Sequence, residues 1–252
     1  MYTFDDLKDI MVKLRSENGC PWDREQTHAS IKNCLIEEAY ETAEAIDSQR
    51  DEKIYDELGD VLLQVVFHAQ IASEENRFTI DDITNAICEK MIRRHPHVFS
   101  DGDAKNSAEV LEKWEEIKKV EKGEGSHADN LKSVSSYLPS LTYAAKVQKK
   151  AAKVGFDWDS WQEPLKKVLE EAEEVREAIE NGTNIEEELG DLLFSVVNVS
   201  RFAGVDSEEA LKKATSKFIK RFEGVESAAN GMGMRLEDMK LEEMDKLWEK
   251  MK

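Results

Sequence analysis

The chain has 252 residues, 40% of them hydrophobic, which is enough for a substantial core in one large domain or two moderate ones. Its formal net charge of -19 would repel a nucleic acid and no basic patch offsets it, so we expect no nucleic-acid partner. Three cysteines without CxxC spacing and an acidic N-terminus, unlike a basic signal peptide, predict a cytoplasmic protein with reduced thiols.

The first half of the chain contains a Glu-rich helical segment followed by an apolar one. Residues 35–72 read as a helix, a turn and a second helix. The longest apolar run of the chain, Val61 to Ala72, is too short to span a bilayer and is interrupted by polar residues. We therefore expect no membrane association.

The second half repeats this pattern. An apolar stripe from Leu165 to Ile179 predicts one helix, which Gly182 ends. A second helix is predicted from about Ile185 to Phe202, and its apolar surface suggests burial on several sides. Asp206 is a good N-cap for a third helix. Because no segment alternates with period two, the sequence predicts an all-α fold.

The two halves are similar enough to indicate a tandem duplication. Residues 35–72 align with 168–203, apart from two residues in the connecting turn. Upstream, Trp22 corresponds to Trp158, and downstream the Trp114 segment corresponds to that of Trp248. We predict an N-terminal domain at 1–120, a polar linker at 121–136 and a C-terminal domain at 137–252.

Each copy carries the acidic pattern E-E-x-x-E, a turn, then E-x-x-D. The positions that this pattern proposes as metal ligands are Glu38, Glu41, Glu57 and Asp60 in the first copy, and Glu171, Glu174, Glu188 and Asp191 in the second. Spacings of three or four residues place carboxylates on one helix face, and a helical hairpin brings the two acidic sets together. Such an oxygen-only set suits Mg²⁺, with Mn²⁺ as the alternative.

A Glu-rich helix face is more often simply solvated, so the prediction of metal sites needs further support. The acidic pattern occurs twice in register, and Asp60 and Asp191 directly precede very apolar runs, where a free charge would be costly. Gly59 and Gly190 lie inside predicted helices, which suggests a close approach there. Together these features favour metal sites.

With these motifs the chain resembles the MazG family of the all-α nucleoside triphosphate pyrophosphohydrolase superfamily, which also contains dimeric dUTPases. The resemblance rests on GCPWDREQTH at 19–28, the two acidic patterns, RRHPHVF at 93–99 and KAAKVGFDW at 150–158. It implies Mg²⁺-dependent hydrolysis of NTPs or dNTPs to the monophosphate and pyrophosphate, in nucleotide-pool control or house-cleaning. It also implies a homodimer in which each domain pairs with its equivalent into a four-helix bundle.

The resemblance assigns roles to the second copy residue by residue. Glu171, Glu174, Glu188 and Asp191 match the family's Mg²⁺ ligands. Among the neighbouring carboxylates we expect Glu170, Glu171 and Glu174 to be catalytic, with Glu170 orienting or deprotonating the attacking water. The expected substrate-binding residues are Lys167, Glu187, Asn198, Lys217, Arg221 and Trp248. Lys217 and Arg221 would stabilise charge on the leaving pyrophosphate.

The two copies are not equivalent at the position expected to contact the base. Asn198 lies seven residues beyond Asp191 on the same helix face, where an amide could read a base. The aligned residue in the first copy is Phe67, which would fill such a pocket. We therefore expect metal binding in both copies but turnover in the second.

Three alternatives stay open on the sequence. The carboxylates could hold a structural metal in a non-catalytic interaction protein. The enzyme could have a narrow, dUTPase-like specificity. The two copies could pair within one chain rather than between chains, because each acidic hairpin must bury its apolar face somewhere.

Overall fold

The computed structural model describes residues 1–100, 103, 106–122 and 125–252. Every regular element among these residues is helical and none is a strand, so the predicted all-α class is confirmed. The chain divides into two compact units, Met1–Glu121 and Lys122–Lys252. Of the linker predicted at 121–136, residues 123 and 124 lie outside the described residues.

The first unit is built around one helical hairpin. Its helices are α1 (Phe4–Arg15), α2 (Pro21–Glu25), α3 (Lys32–Ser48), α4 (Asp51–Glu74), α5 (Ile80–Arg94), α6 (Pro96–Phe99) and α7 (Ser107–Lys122). Helix α3 packs along α4 after a turn at Gln49, whose φ of 54° is left-handed. Met11 of α1 and Phe67 of α4 belong to the buried core of this unit, so α4 presents its apolar face inwards.

The second unit repeats this hairpin. Its helices are α8 (His127–Lys132), which lies within the predicted linker, α9 (Ser140–Ala152), α10 (Gln162–Asn181), α11 (Ile185–Phe202), α12 (Ser207–Gly231) and α13 (Leu241–Lys250), with a 3-10 turn at Leu236–Asp238. Gly182 ends α10 with a φ of 67°, a conformation that favours glycine. The Asp206 side chain accepts a hydrogen bond from the Glu209 backbone N–H at 3.0 Å and so caps α12.

Helix α11 begins and ends at the predicted residues, but it is not buried on several sides within its own chain. Ser195, Val197 and Asn198 are its buried residues, whereas Leu193 is 54% exposed and Val196 43% exposed. The prediction of burial on several sides is thus wrong for the single chain, since only the side facing the rest of the unit is covered.

None of the described helices combines the length and apolarity that a membrane span requires.

Contrary to the prediction, no close approach occurs at Gly59 or Gly190 among the described residues. A Cβ added at either position would meet no atom of the described residues within 4 Å. We expect Gly190→Ala to raise the free energy of unfolding by about 1 kcal/mol, because alanine is the better helix former and no atom obstructs it. Urea unfolding monitored by circular dichroism measures the change.

Gly224 offers a matched control within α12. A Cβ there would meet Met251 Sδ at 2.7 Å, so Gly224→Ala should gain less stability than Gly190→Ala or lose some. If Gly190→Ala instead destabilised the protein, a second chain must approach α11 at that glycine.

Candidate metal centre and adjoining cleft

Three carboxylates of the second unit converge between α10 and α11. Glu171 and Glu174 lie one turn apart on α10, and the hairpin brings Glu188 of α11 to them. One carboxylate oxygen from each residue lies within 4.8 Å of the other two. We call these three residues the second acidic group.

The second acidic group fits a divalent cation. Glu171 is 4% exposed, and its Oε2 has no hydrogen-bond partner among the described residues. A buried carboxylate oxygen without a partner is costly, and a hard cation would satisfy it. Interaction with the Glu171 side chain raises the pKa of Glu174, and burial adds to the shift.

The first unit has an equivalent first acidic group, Glu38, Glu41 and Glu57, whose oxygens also lie within 4.8 Å of one another. Desolvation raises the pKa of Glu38, and the negative charge of Asp60 raises it further. Desolvation also raises the pKa of Glu57, with Glu41 as the next cause. Both halves of the chain therefore concentrate negative charge at the aligned place.

The fourth predicted ligand of each set lies outside these groups. Asp191 and Asp60 do not meet the 4.8 Å separation that unites the other three. Asp191 instead lines a cleft beside Glu171. An α-helix turns by about 100° per residue, so a position three residues after Glu188 is displaced around α11 and faces the cleft.

Lys167 links the second acidic group to the residue expected to activate water. Its Nζ lies 2.6 Å from Glu171 Oε1 and 2.7 Å from Glu170 Oε1, and these hydrogen bonds raise the pKa of the lysine. Glu170 itself is exposed and is not part of the group of three. Glu187, another predicted substrate contact, is also exposed.

The cleft beside this group has a volume of about 340 Å³, in the range of small-molecule sites. Its lining includes the charged residues Lys167, Glu171 and Asp191 together with Trp158 and Asn198. We call it the α11 cleft. The first unit has a smaller cleft of about 220 Å³ against α1, which contains no member of the first acidic group.

Arg221 of α12 contacts Trp248 of α13, and Lys217 lies one helical turn before Arg221 on α12. The Arg221 guanidinium lies 5.9 Å from the centre of the Trp248 ring, and Phe218 packs on the same ring at 5.1 Å. None of these residues lines the α11 cleft, and Lys217 is exposed. Their role in phosphate binding stays a prediction.

The first unit contains the same arginine–tryptophan pair, but there the arginine is already neutralised. Arg94 lies 6.0 Å from the Trp114 ring and forms a 2.5 Å ion pair with Glu121. Arg93 binds the same carboxylate at 2.7 Å, and the hydrogen bonds from these arginines lower the pKa of Glu121 to about 2. A phosphate would have to displace Glu121 to reach Arg94.

The sequence patterns did not indicate a role for two residues beside the α11 cleft, Arg201 and Asp157. The Arg201 guanidinium donates hydrogen bonds to Asn198 Oδ1 and to the carboxylate of Asp157. Arg201 lies three residues after Asn198, the one signal that the sequence offered. Asp157 lies 44 residues away along the chain, so local spacing could not reveal the pair.

The chain is similar to proteins of one family over its whole length. The MazG nucleotide pyrophosphohydrolase domain matches it twice, at residues 26–99 and 160–225. It is 48% identical over 249 residues to the nucleoside triphosphate pyrophosphohydrolase/pyrophosphatase MazG of Thermotoga maritima, covering 99% of this chain and 95% of that protein. It is 45% identical over 257 residues to the nucleoside triphosphate pyrophosphohydrolase of Escherichia coli K12, covering 100% of this chain and 98% of that protein.

A third relative is longer than this chain. The Bacillus subtilis protein YabN is 48% identical over 254 residues, which are 100% of this chain and 52% of that protein. The two family matches include both acidic groups and every lining residue of the α11 cleft except Trp158. The chain therefore belongs to the MazG nucleotide pyrophosphohydrolase family.

Proposed function

We propose that the protein hydrolyses nucleoside triphosphates to the monophosphate and pyrophosphate, and that the second unit carries out the reaction. The observation that carries the proposal is the second acidic group, which contains a buried, unsatisfied carboxylate oxygen and opens into a cleft of about 340 Å³. Two full-length relatives at 45–48% identity bear the name of this activity, which supports the same reaction here.

The acidic group requires a cation before it can receive a polyphosphate. Glu171, Glu174 and Glu188, with Asp191 from the cleft wall, would hold Mg²⁺, or Mn²⁺ as the alternative. When bound, these ions neutralise the triphosphate and stabilise the charge that develops as the α–β bond breaks. Lys167, already hydrogen-bonded to Glu171, would hold that carboxylate in place or turn towards a phosphate.

The remaining residues are assigned by position. Glu170, which is exposed and hydrogen-bonded to Lys167, would accept the proton of the attacking water. Lys217 and Arg221 would bind the leaving pyrophosphate, with the Trp248 ring supporting the arginine. Glu187 is assigned to substrate binding from its position next to Glu188.

The first unit would bind a metal ion without turning over substrate. Its acidic group is as compact as the second, but Phe67, 4% exposed, occupies the position of Asn198. Its Arg94 is paired with Glu121 rather than free for a phosphate. A structural or regulatory role for this unit follows, within an enzyme that controls or cleans the nucleotide pool.

We further propose that the protein acts in the cytoplasm as a homodimer, without a nucleic-acid or membrane partner. All three cysteines are free thiols, as expected in a reducing compartment. The net charge of -19 disfavours nucleic acids and anionic membranes. The exposed apolar residues of α10 and α11 need a partner surface, and pairing with their equivalents would complete a four-helix bundle.

The test is product identification by phosphorus NMR. Purified protein with Mg²⁺ and a panel of NTPs and dNTPs is expected to yield monophosphate and pyrophosphate, and EDTA should stop the reaction. Diphosphate with orthophosphate would assign a different hydrolase reaction. No product from any nucleotide would favour a structural metal site in an interaction protein.

A further inference from the structure

Asn198 lines the α11 cleft, and its hydrogen bonds with Arg201 fix the orientation of its side-chain amide. Arg201 Nη2 donates to Asn198 Oδ1 at 2.8 Å, and Arg201 Nε donates to the same oxygen at 3.1 Å. A guanidinium group has only donors, so the amide oxygen must face the arginine and the NH₂ group must point away from it. Asn198 is 8% exposed, and its Nδ2 donates to no acceptor in the part of the chain that the structure describes.

The arginine is itself held from a second direction. Arg201 Nη1 and Nη2 donate to the two carboxylate oxygens of Asp157 at 2.9 and 2.5 Å, a bidentate pair with fixed geometry. The same pairing lowers the pKa of Asp157, so the carboxylate stays charged across the physiological range. Asp157 also accepts a hydrogen bond from the Trp158 backbone N–H at 3.0 Å, next to the aromatic wall of the cleft.

Three polar residues of α11 are spaced along the helix so that one end of a bound nucleotide could lie at the acidic group and the other at Asn198. Asp191, Ser195 and Asn198 all line the cleft, with Asp191 nearest along the helix to Glu188 of the acidic group. Seven residues of α-helix span about 10 Å. A nucleotide whose phosphates lie at the acidic group would therefore place its base near Asn198, beside the Trp158 ring.

The first unit lacks each member of this arrangement. In the aligned sequences Asn198 corresponds to Phe67, Arg201 to Gln70, and Asp157 to Pro21. Phe67 is buried in the core of the first unit. The chain thus keeps both acidic groups but has the oriented amide in the second unit alone.

We infer that the Arg201–Asp157 pair fixes Asn198 as a hydrogen-bond donor, and that the α11 cleft selects bases with an exocyclic oxygen at the point of contact over bases with an exocyclic amino group. Uracil, thymine and guanine carry such an oxygen, whereas cytosine and adenine carry an amino group at the same ring position. An amino group would face the Asn198 donor with another donor and leave it unsatisfied. The inference rests on the proposed function, since it names the class of nucleotide that this site takes.

UTP and CTP are matched probes because they share the ribose and the triphosphate and differ only at C4 of the base and in the hydrogen on N3. We expect kcat/KM to favour UTP by about tenfold, because a buried donor left without an acceptor costs roughly that factor. The preference should reside in KM rather than kcat. Equal kcat/KM values, or a preference for CTP, would overturn the inference while leaving the hydrolase assignment intact.

Variants of Arg201 separate orientation from folding. Arg201→Gln provides both a donor and an acceptor, so the Asn198 amide is free to turn and the UTP:CTP ratio should fall to about one. Arg201→Lys provides donors alone and should retain most of the ratio. Arg176→Gln, which removes an arginine that binds glutamates of α10, should leave the ratio unchanged. A full ratio in Arg201→Gln would overturn the positioning role.

Asn198→Asp should invert the preference, since a carboxylate accepts hydrogen bonds and would favour the cytosine amino group. Dissociation constants for α,β-methylene analogues of UTP and CTP, measured by calorimetry with Mg²⁺, give the same comparison without turnover. If no triphosphate were hydrolysed but the uracil analogue still bound about tenfold more tightly, the proposed reaction would fail and the inference about the base would stand. Equal dissociation constants would overturn the inference regardless of activity.

Discussion

Glu171→Gln is expected to lower kcat/KM for triphosphate hydrolysis at least about a hundredfold. Groups that merely orient a metal ligand already contribute 10–100-fold, so a ligand itself should contribute more. Glutamine keeps the size of the side chain but removes its charge, and Glu171 supplies the one buried, unpartnered carboxylate oxygen of the second acidic group. Initial rates at saturating and limiting nucleotide measure the loss.

A second readout of the same variant distinguishes metal binding from general damage. If Mg²⁺ binds the folded acidic groups as proposed, and not the unfolded chain, it should raise the unfolding temperature of the wild-type protein. The part of this rise that comes from the second unit should disappear in Glu171→Gln. A variant that lost activity but kept the full Mg²⁺ effect would place Glu171 in catalysis rather than metal binding.

Glu38→Gln is the matched control because Glu38 occupies the aligned position on α3 of the first unit. The same chemical change there should leave kcat/KM within about twofold, on the magnitude expected of substitutions outside the reacting site. It should still reduce the Mg²⁺-dependent rise in unfolding temperature. If Glu38→Gln abolished activity and Glu171→Gln did not, the assignment of the catalytic unit would be reversed.

The acidic groups could be predicted from sequence because their geometry is local. Glu171 and Glu174 share a face of α10 by spacing alone, and the short turn after Gly182 leaves α11 no alternative to packing back on α10. The position of Asp191 is harder to predict. The rotation of α11 against α10 decides whether a residue one turn from Glu188 faces the metal site or the cleft. That rotation is set by packing, and spacing does not encode it.

The spacing of residues in the sequence did not predict the contacts between elements that are distant along the chain. Asp157 meets Arg201 because the segment before α10 packs against α11, and a single sequence does not show which loop residue reaches which helix. Glu121 binds Arg93 and Arg94 over a similar separation and was likewise not predicted. In both cases an arginine takes a partner that changes what it offers to a ligand.

The exposed apolar residues of the second hairpin underlie a second prediction, that Leu193→Glu dissociates the proposed homodimer. Leu193 is 54% exposed and lies beside Val196 on α11, while Leu165, Leu169 and Ile179 of α10 are 40–68% exposed. Exposed apolar residues on both helices of one hairpin are typical of an interface. In a symmetric dimer the substitution acts twice, once in each protomer.

Loss of two buried leucine side chains costs about 3 kcal/mol or more, which weakens the dimer at least about a hundredfold, and a buried glutamate would add to this. Sedimentation velocity over a range of protein concentrations measures the dissociation constant. Leu241→Glu is the control, because Leu241 is 74% exposed at the start of α13, and it should leave the dimer intact.

A wild-type chain that stayed monomeric at all concentrations would contradict the homodimer and favour pairing of the two units within one chain. If Leu193→Glu dissociated the dimer and left the Mg²⁺-dependent rise in unfolding temperature in place, the acidic group would be complete within one protomer, as the convergence of Glu171, Glu174 and Glu188 from a single hairpin leads us to expect.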